Sequence, residues 1–246
     1  MPAARLAHWA GVLADFVFPR LCCGCGERVI ESGRLICSGC EKTFRPLLLP
    51  ICSLCGAENA IVGPKGKCPT CPAGKVHFET ARGVVAFEGV AHELVVRLKY
   101  NRRTEYAAEM GRLLRANYSR DFPGFTPDLL IPVPLFGARQ RERGFNQSEL
   151  LAHELAVTVG CSVNSKALRR IRPTRTQTKL SRTQRAENIR GAFAVADAGT
   201  VQNHKVLLVD DVYTTGATLN ECARMLMEAG AESVNCHAFA RTCDEI

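Results

Sequence analysis

The sequence predicts an α/β protein whose doubly wound, mostly parallel sheet follows a small cysteine-rich domain. Two observations carry this prediction. Strand-like and helix-like segments alternate from Ala81 to the end of the 246-residue chain, and four CxxC pairs lie between Cys22 and Cys71. Alternating strands and helices are typical of parallel sheets that are covered on both faces. Clustered cysteines indicate a small domain that depends on metal or disulfides for its stability.

The composition is that of a soluble globular chain. Hydrophobic residues make up 46% and charged residues 23%, which excludes the disordered, fibrous and membrane-spanning classes. The longest apolar stretch, residues 6–18, is interrupted by His8 and Asp15 and lacks a small-residue cleavage site. We therefore expect no membrane span, no secretory signal and a cytoplasmic protein.

We divide the chain at residues 20 and 80. Residues 1–20 are predicted to form an amphipathic helix, because apolar residues recur near helical spacing before Pro19. Residues 21–80 are rich in Cys, Gly and Pro and form the cysteine domain. In residues 81–246, strands are predicted at 83–87, 129–133, 206–209 and 233–239. Helices are predicted at 92–99, 106–118, 147–159 and 218–228.

The four CxxC pairs predict two metal sites. The pairs are Cys22/Cys25, Cys37/Cys40, Cys52/Cys55 and Cys68/Cys71. A CxxC turn brings two thiolates to one tetrahedral ion, so eight cysteines support two structural zinc ions. The spacing permits sequential pairing or an interleaved cross-brace, and we favour sequential pairing because each site then closes a local hairpin. Redox-active disulfides are the alternative, and Cys23 is left outside both sets.

The most specific segment runs from Val206 to Thr218. A continuous apolar strand leads into two adjacent carboxylates, Asp210 and Asp211, and then into a Thr/Gly turn that opens a helix. The carboxylates would accept hydrogen bonds from a ribose diol while a phosphate occupies the turn. A strand end with a helix cap explains one Asp and one Thr but not the whole run. The predicted phosphate-binding residues, at a helix N-terminus, are Thr214, Thr215, Gly216, Ala217 and Thr218.

This run resembles the phosphoribosyl pyrophosphate signature of type I phosphoribosyltransferases. Together with the cysteine domain and the motif Arg141-Glu142-Arg143-Gly144-Phe145-Asn146-Gln147, it makes nearly the whole chain similar to the competence-associated ComF family. The resemblance implies a double zinc ribbon followed by a type I phosphoribosyltransferase domain. It also implies that Asp210 and Asp211 bind ribose and are the candidate catalytic residues. Further matching segments are Leu98-Lys99-Tyr100, Pro132-Val133-Pro134-Leu135 and Thr178-Lys179-Leu180-Ser181-Arg182.

The resemblance also places two basic loops around the site. Residues 136–147 would hold pyrophosphate, and residues 172–190 would close over it as a mobile loop. Residues 139–190 contain twelve Lys/Arg against four Asp/Glu, which equals the net charge of +8 for the whole chain. A solvated basic surface is the simpler alternative for any single arginine. The predicted anion contacts, for which Arg is well suited, are Arg139, Arg141, Arg143, Lys179 and Arg182.

The reaction implied by the family uses no protein nucleophile. A nitrogen acceptor would displace pyrophosphate from phosphoribosyl pyrophosphate, while Mg²⁺ and basic side chains stabilise the leaving group. Glutamine hydrolysis is not expected, because the chain begins Met1-Pro2-Ala3 and not with a cysteine nucleophile. The identity of the acceptor stays open.

The alternative function is that of a non-catalytic module that binds single-stranded DNA. ComF relatives are associated with DNA uptake, so single-stranded DNA and proteins of the competence machinery are the expected further partners. The basic loops and the zinc ribbons would then follow the DNA phosphates. Against this hypothesis, residues 139–190 contain a single aromatic residue, Phe145, whereas single-strand binders use several aromatic side chains for base stacking.

Overall fold

The computed structural model describes residues 20–31, 33–63, 66–72, 74–100, 103–174 and 181–243. Residues 1–19 of the predicted N-terminal helix lie outside this range, as does Lys179. Arg182 is described by its backbone alone. What the sequence predicts for these positions therefore stays a prediction.

A five-stranded sheet forms the centre of the molecule, in the order β1-β7-β6-β2-β3 with all neighbours parallel. Two further strands, β4 and β5, form a separate antiparallel pair that the sequence pattern did not predict. The predicted parallel sheet is confirmed. The strands are β1 (Thr80–Ala86), β2 (Leu129–Pro132), β3 (Ser162–Val163), β4 (Leu168–Arg170), β5 (Phe193–Val195), β6 (Lys205–Tyr213) and β7 (Ser233–Arg241).

Helices cover both faces of the sheet, because its central strand β6 is apolar on both sides. Val206 and Leu208 face one core, and Leu207 and Val209 face the other. Helices α6 and α7 pack in the first core, and α2, α3 and α5 pack in the second. The helices are α1 (Ser38–Glu41), α2 (Gly89–Tyr100), α3 (Tyr106–Asp121), α4 (Gly137–Arg143), α5 (Gln147–Val159), α6 (Arg182–Ile189) and α7 (Ala217–Glu228).

The chain leaves β2 and β6 in opposite directions. Helices α4 and α5 follow β2 and lead to β3 on one side of the central strands. Helix α7 follows β6, packs on the other face of the sheet and leads to β7 on the opposite side. In doubly wound sheets, the ligand crevice opens at the carboxyl ends of the two strands whose connections diverge. The topology therefore places the candidate site between the segments that follow β2 and β6.

Two segments predicted as loops contain helices, so these parts of the prediction are wrong. Residues 137–143 form α4, because they are good helix formers and Gly144 ends the helix with a φ of 87°. Residues 182–189 form α6, which begins at a capping box between Ser181 and Gln184. These helices were not predicted because short polar helices lack the apolar periodicity from which helices are predicted.

None of the helices in the described ranges is long and apolar enough to cross a membrane.

Candidate functional site

Two adjacent carboxylates lie near the carboxyl end of β6. Asp210 and Asp211 are nearly enclosed, with exposures of 8% and 4%. Asp210 Oδ1 accepts hydrogen bonds from Ser148 Oγ at 2.8 Å and from the Asp211 backbone N–H at 2.9 Å. Burial, and secondly the neighbouring Asp211 charge, raise the pKa of Asp210 to about 7. Asp210 therefore exchanges its proton near neutral pH.

Lys99, near the end of α2, balances the charge of Asp211. The lysine Nζ lies 2.6 Å from Asp211 Oδ2. This ion pair occupies Oδ2, and Asp211 Oδ1 accepts from the Val212 N–H at 2.8 Å. Because a carboxylate oxygen can accept more than one hydrogen bond, Asp211 can still bind a ligand hydroxyl.

The Thr/Gly turn, residues 214–218, joins β6 to α7. Gly216 has a φ of 75°, a left-handed conformation that favours glycine. Helix α7 begins at Ala217, so its first backbone N–H groups lack acceptors within the helix and are directed out of its end. Thr215 Oγ1 is buried and has no hydrogen-bond partner within the described part of the chain. The turn therefore offers unused donors to an anion.

A cavity of about 690 Å³ opens beside these residues. Arg139 and Arg143 line it from α4, where they lie one helical turn apart and share a face. Arg141 is exposed on another side of the same helix and lies outside this lining. The lining thus contains Arg139 and Arg143, two of the five cations predicted near the site, together with three further cationic residues. Its cationic residues are Lys99, Arg139, Arg143, Arg170 and Arg185.

Arg143 is firmly held at the edge of the cavity. Its side chain is buried, its Nη1 donates to Gln147 Oε1, and its guanidinium lies 5.9 Å from the ring centroid of Tyr100. Burial lowers the pKa of Arg143, and the charge of Asp211 opposes that shift. Arg143 is therefore a pre-positioned cation that faces the carboxylate pair.

Two residues of the site, Arg170 and Ser148, were not predicted from the sequence. Arg170 on β4 lines the cavity, contacts Thr174 Oγ1 through its Nη2 and has a buried Nε without a partner among the described residues. Ser148 supports Asp210, and its position follows from Asn146, which caps α5 and donates to the Val133 carbonyl at 3.0 Å. The basic character of residues 139–190 was the only sequence signal for Arg170. For Ser148 the signal was its place directly after the family motif.

The eight paired cysteines form two groups in which the sulfur atoms of each group lie within 4.8 Å of one another. We call Cys22, Cys25, Cys37 and Cys40 the first cluster, and Cys52, Cys55, Cys68 and Cys71 the second cluster. The grouping is sequential, as the local-hairpin argument predicts. Measured sulfur separations are 3.7 Å in the first cluster and 3.4, 3.7 and 3.9 Å in the second. Four sulfurs about 2.3 Å from a zinc ion would be about 3.8 Å apart, so both clusters fit tetrahedral zinc.

The two clusters are built on the same local turn. The Gly26 N–H donates to the Cys22 carbonyl at 2.9 Å, and the Gly56 N–H donates to the Cys52 carbonyl at 2.8 Å. Both glycines have a positive φ. Cys23 lies outside both clusters, in an apolar core where burial raises its pKa to about 12. Its environment is that of a packing residue.

Family models match both parts of the chain. The phosphoribosyl transferase domain matches residues 142–244, and the double zinc ribbon domain matches residues 13–73. The DNA utilization protein YhgH of Salmonella typhimurium is 35% identical over 91% of this chain and 98% of its own length. Competence protein F of Haemophilus influenzae is 30% identical over 84% of this chain and 90% of its own. Competence protein ComFC of Bacillus subtilis is 28% identical over 87% of each chain.

Similarity to solved structures is weaker. The allosteric regulatory enzyme of purine biosynthesis is 23% identical over 55% of this chain, with a TM-score of 0.37, and this chain spans about a quarter (26%) of that enzyme. A purine phosphoribosyltransferase from Pyrococcus horikoshii is 16% identical over 55% of this chain and 83% of its own, with a TM-score of 0.33. The assignment rests instead on the full-length relatives and on the two domain matches. By these, the chain is a member of the ComF family and joins a double zinc ribbon to a phosphoribosyltransferase-type domain.

Proposed function

We propose that this protein binds phosphoribosyl pyrophosphate with Mg²⁺ at the carboxyl ends of β2 and β6 and transfers the phosphoribosyl group to a nitrogen acceptor. One observation carries the proposal. The adjacent buried carboxylates of Asp210 and Asp211 lead directly into the Thr/Gly turn. Thr214 of the turn and Lys99, the ion-pair partner of Asp211, line a cavity with a cationic lining. A ligand that carries a diol between two phosphate groups matches this arrangement of acceptors, donors and cations.

Each part of the ligand has a proposed partner. The ribose hydroxyls donate to the carboxylates of Asp210 and Asp211, whose oxygens can each accept more than one hydrogen bond. The 5′-phosphate accepts from Thr215 Oγ1 and from the first N–H groups of α7. The pyrophosphate lies among the cationic side chains of the cavity, with Arg143 held most firmly. Lys179 and Arg182 complete this set as proposed contacts from the sequence.

The proposed reaction needs positioning and charge stabilisation. The acceptor nitrogen bonds to the anomeric carbon as the carbon–oxygen bond breaks, and the bonding electrons leave on pyrophosphate. Bound Mg²⁺ would neutralise the charge that develops on the leaving group. Because Lys99 already balances Asp211, the ligand's own oxygens would supply most of the metal coordination. The carboxylates hold the sugar, and the arginines stabilise the departing pyrophosphate.

Isothermal titration with phosphoribosyl pyrophosphate and Mg²⁺ tests the proposal. Each charge-assisted hydrogen bond lost in Asp210→Ala/Asp211→Ala is worth about 1.5–3 kcal/mol, so affinity should fall about a hundredfold or more. Asp128→Ala is the matched control, since its carboxylate accepts from the Lys205 N–H at the opposite end of β6. Equal affinity in the wild type and the double variant would contradict the proposed ribose contacts.

We further propose that the two clusters hold two structural zinc ions in a reducing cytoplasm. The sulfur separations and the double zinc ribbon match support this assignment. Thiolates stay available to metal where disulfides do not form. Elemental analysis of freshly reduced protein should find about two zinc ions per chain. Finding none would exclude zinc at both clusters.

Binding of single-stranded DNA is the second candidate function. Two observations favour it: the exposed arginines on α4, and relatives that are named for DNA utilization and competence. If the DNA shares the cavity, pyrophosphate should displace it better than an equal charge of sulfate at fixed ionic strength. Partners in the competence machinery belong to this candidate.

The arginines of α4 separate the two functions. Arg143→Ala should weaken pyrophosphate binding, because Arg143 lines the cavity. Arg141→Ala should leave pyrophosphate binding intact and weaken only DNA, because Arg141 is exposed outside that lining. If both variants weaken both ligands equally, the cavity and the exposed face act as one anion surface.

A further inference from the structure

We propose that the second cluster positions the Thr/Gly turn, and that Tyr213, Arg241 and Asn220 transmit this effect as positioning residues. The phosphate site would then be assembled only when the second cluster is assembled. The inference rests on the proposed function in one respect, namely that the turn binds phosphate. The structural coupling itself is independent of any ligand.

The first contact joins the turn directly to the second cluster. A Cβ placed on Gly216 would lie 2.9 Å from Pro72 Cγ and 2.6 Å from Tyr213 Cε2. Pro72 immediately follows Cys71, a member of the second cluster. The backbone of the turn is therefore in close contact with the cluster, and a glycine is required there both for its φ of 75° and for this approach.

The second contact is a stack behind the turn. The Arg241 guanidinium lies 4.2 Å from the ring centroid of Tyr213, and its Nη2 donates to Cys55 Sγ at 3.8 Å. Both side chains are buried, yet the Tyr213 hydroxyl and Arg241 Nη1 have no hydrogen-bond partner in the described part of the protein. Ring stacking and the cysteine sulfur thus hold this arginine beneath the turn.

The third contact anchors the segment that leaves the second cluster. Asn220, in the first turns of α7, donates through Nδ2 to the Lys75 carbonyl at 2.9 Å. Its Oδ1 accepts from the His77 N–H at 2.8 Å. One side chain therefore fixes residues 75–77 against the beginning of the helix whose N-terminus completes the phosphate site.

The first cluster makes no comparable approach among the described residues. Gly24, within its first CxxC pair, lies against Val90 of α2. A Cβ placed on Gly24 would lie 2.9 Å from Val90 Cγ2. Cys22 belongs to the core on the opposite face of the sheet from Tyr213 and Ala217. The first cluster therefore serves as an internal control, because it has the same construction as the second cluster and is remote from the turn.

Hydrogen exchange of the ligand-free protein tests the coupling. Cys55→Ser and Cys25→Ser change equivalent positions. Each replaces the second cysteine of the first CxxC pair in its cluster. Each variant should hold one zinc ion instead of two. Only Cys55→Ser should speed exchange in residues 213–218, by about tenfold or more, because the turn opens locally when its support is lost. Affinity for phosphoribosyl pyrophosphate with Mg²⁺, whose 5′-phosphate would occupy the turn, should fall about tenfold in the same variant.

If Cys55→Ser does not fold, a milder pair of variants tests the coupling. Asn220→Ala should retain two zinc ions, speed exchange in the turn and weaken the binding of phosphoribosyl pyrophosphate by about threefold to tenfold. Asn117→Ala is its control, because the Asn117 amide bonds only to Leu113 of its own helix. Arg241→Lys removes the guanidinium that contacts Cys55 and Tyr213, so it should act in the same direction as Asn220→Ala.

The outcomes separate the two proposals. If the wild type does not bind phosphoribosyl pyrophosphate but Cys55→Ser and Asn220→Ala both loosen the turn, the proposed function fails and the coupling stands. If turn exchange is the same in Cys55→Ser as in Cys25→Ser, or the same in Asn220→Ala as in the wild type, the coupling is refuted.

Discussion

The two cysteine clusters share a construction and differ in their surroundings. In the second cluster all four cysteines are buried, with exposures of 0–6%. In the first cluster Cys25 is exposed, and Cys37 and Cys40 are half-buried. The local turns are equivalent, so the difference arises from the surface on which each cluster packs. Identical motifs in one chain therefore acquire different surroundings through tertiary contacts.

The attachments of the two clusters explain the division of roles. The first ribbon is fixed to α3 by the buried carboxylate of Glu109, which accepts from Arg34, Arg112 and the Leu35 N–H. The second ribbon is fixed by apolar packing in the core that also contains Tyr213 and Ala217. We infer that the first attachment contributes stability, whereas the second also shapes the phosphate site.

Metal removal should show the largest difference between the clusters. A chelator should take zinc from the first cluster about tenfold faster or more, because Cys25 is exposed. Loss of the second ion should lower the free energy of unfolding by about 5 kcal/mol or more, since its site is part of the core. Zinc release and denaturation should be followed together, with Cys25→Ser and Cys55→Ser to assign the phases. Release of both ions in one phase would contradict the comparison.

Glu109→Ala should break the attachment of the first ribbon without affecting the site. Removing one member of a buried ion pair costs about 3–5 kcal/mol, and the partly exposed arginines here favour the lower value. Chemical denaturation measures this loss, and pyrophosphate affinity below the transition should be unchanged. Glu93→Ala is the control, because its exposed pair with Arg97 contributes at most about 0.5 kcal/mol. A parallel loss of affinity in Glu109→Ala would show that the first ribbon also supports the site.

We expect the carboxylate pair, and neither cysteine cluster, to determine how ligand affinity depends on pH. Because the pKa of Asp210 is raised to about 7, affinity for phosphoribosyl pyrophosphate should rise about tenfold between pH 6 and pH 8 as Asp210 ionises. At Asp210 the folded protein binds more protons than the unfolded chain between about pH 4 and pH 7. The contribution of this group to the free energy of unfolding should therefore fall as pH rises through this window.

Asp210→Asn is the control for this titration. Both pH responses should be smaller in the variant, while the contribution of the ligand's own phosphates to the affinity profile remains. If wild type and Asp210→Asn show the same profiles, Asp210 does not titrate in this range.

The smallest expected effect concerns the support of Asp210. The Ser148 hydroxyl stabilises the ionised carboxylate, so Ser148→Ala should raise the pKa of Asp210 further. We expect the midpoint of the affinity profile to move upward by about half a unit to one unit. Ser162→Ala, at an exposed position on β3, should leave the midpoint in place. A downward shift in Ser148→Ala would mean that the hydroxyl stabilises the protonated form.

Sequence reasoning succeeded where the relevant contacts are short-range. Cysteines three residues apart share one turn, and Asp210, Asp211 and Gly216 lie within one strand–turn–helix unit. It failed at residues 137–143 and 182–189, where capping and helix propensity outweigh the lack of apolar periodicity. Ser148 was missed because its partner Asp210 lies 62 positions away.

By itself, the sequence determined the parallel α/β class, the two four-cysteine sets and the family. These follow from periodicity, from CxxC spacing and from motifs that are contiguous in the chain. Only the tertiary structure decided that the second cluster, and not the first, lies against the Thr/Gly turn. That choice depends on contacts such as Cys55 with Arg241 and Pro72 with Gly216. Such contacts exist only once the sheet has formed, because burial of apolar surface brings distant segments together and short-range spacing carries no information about them.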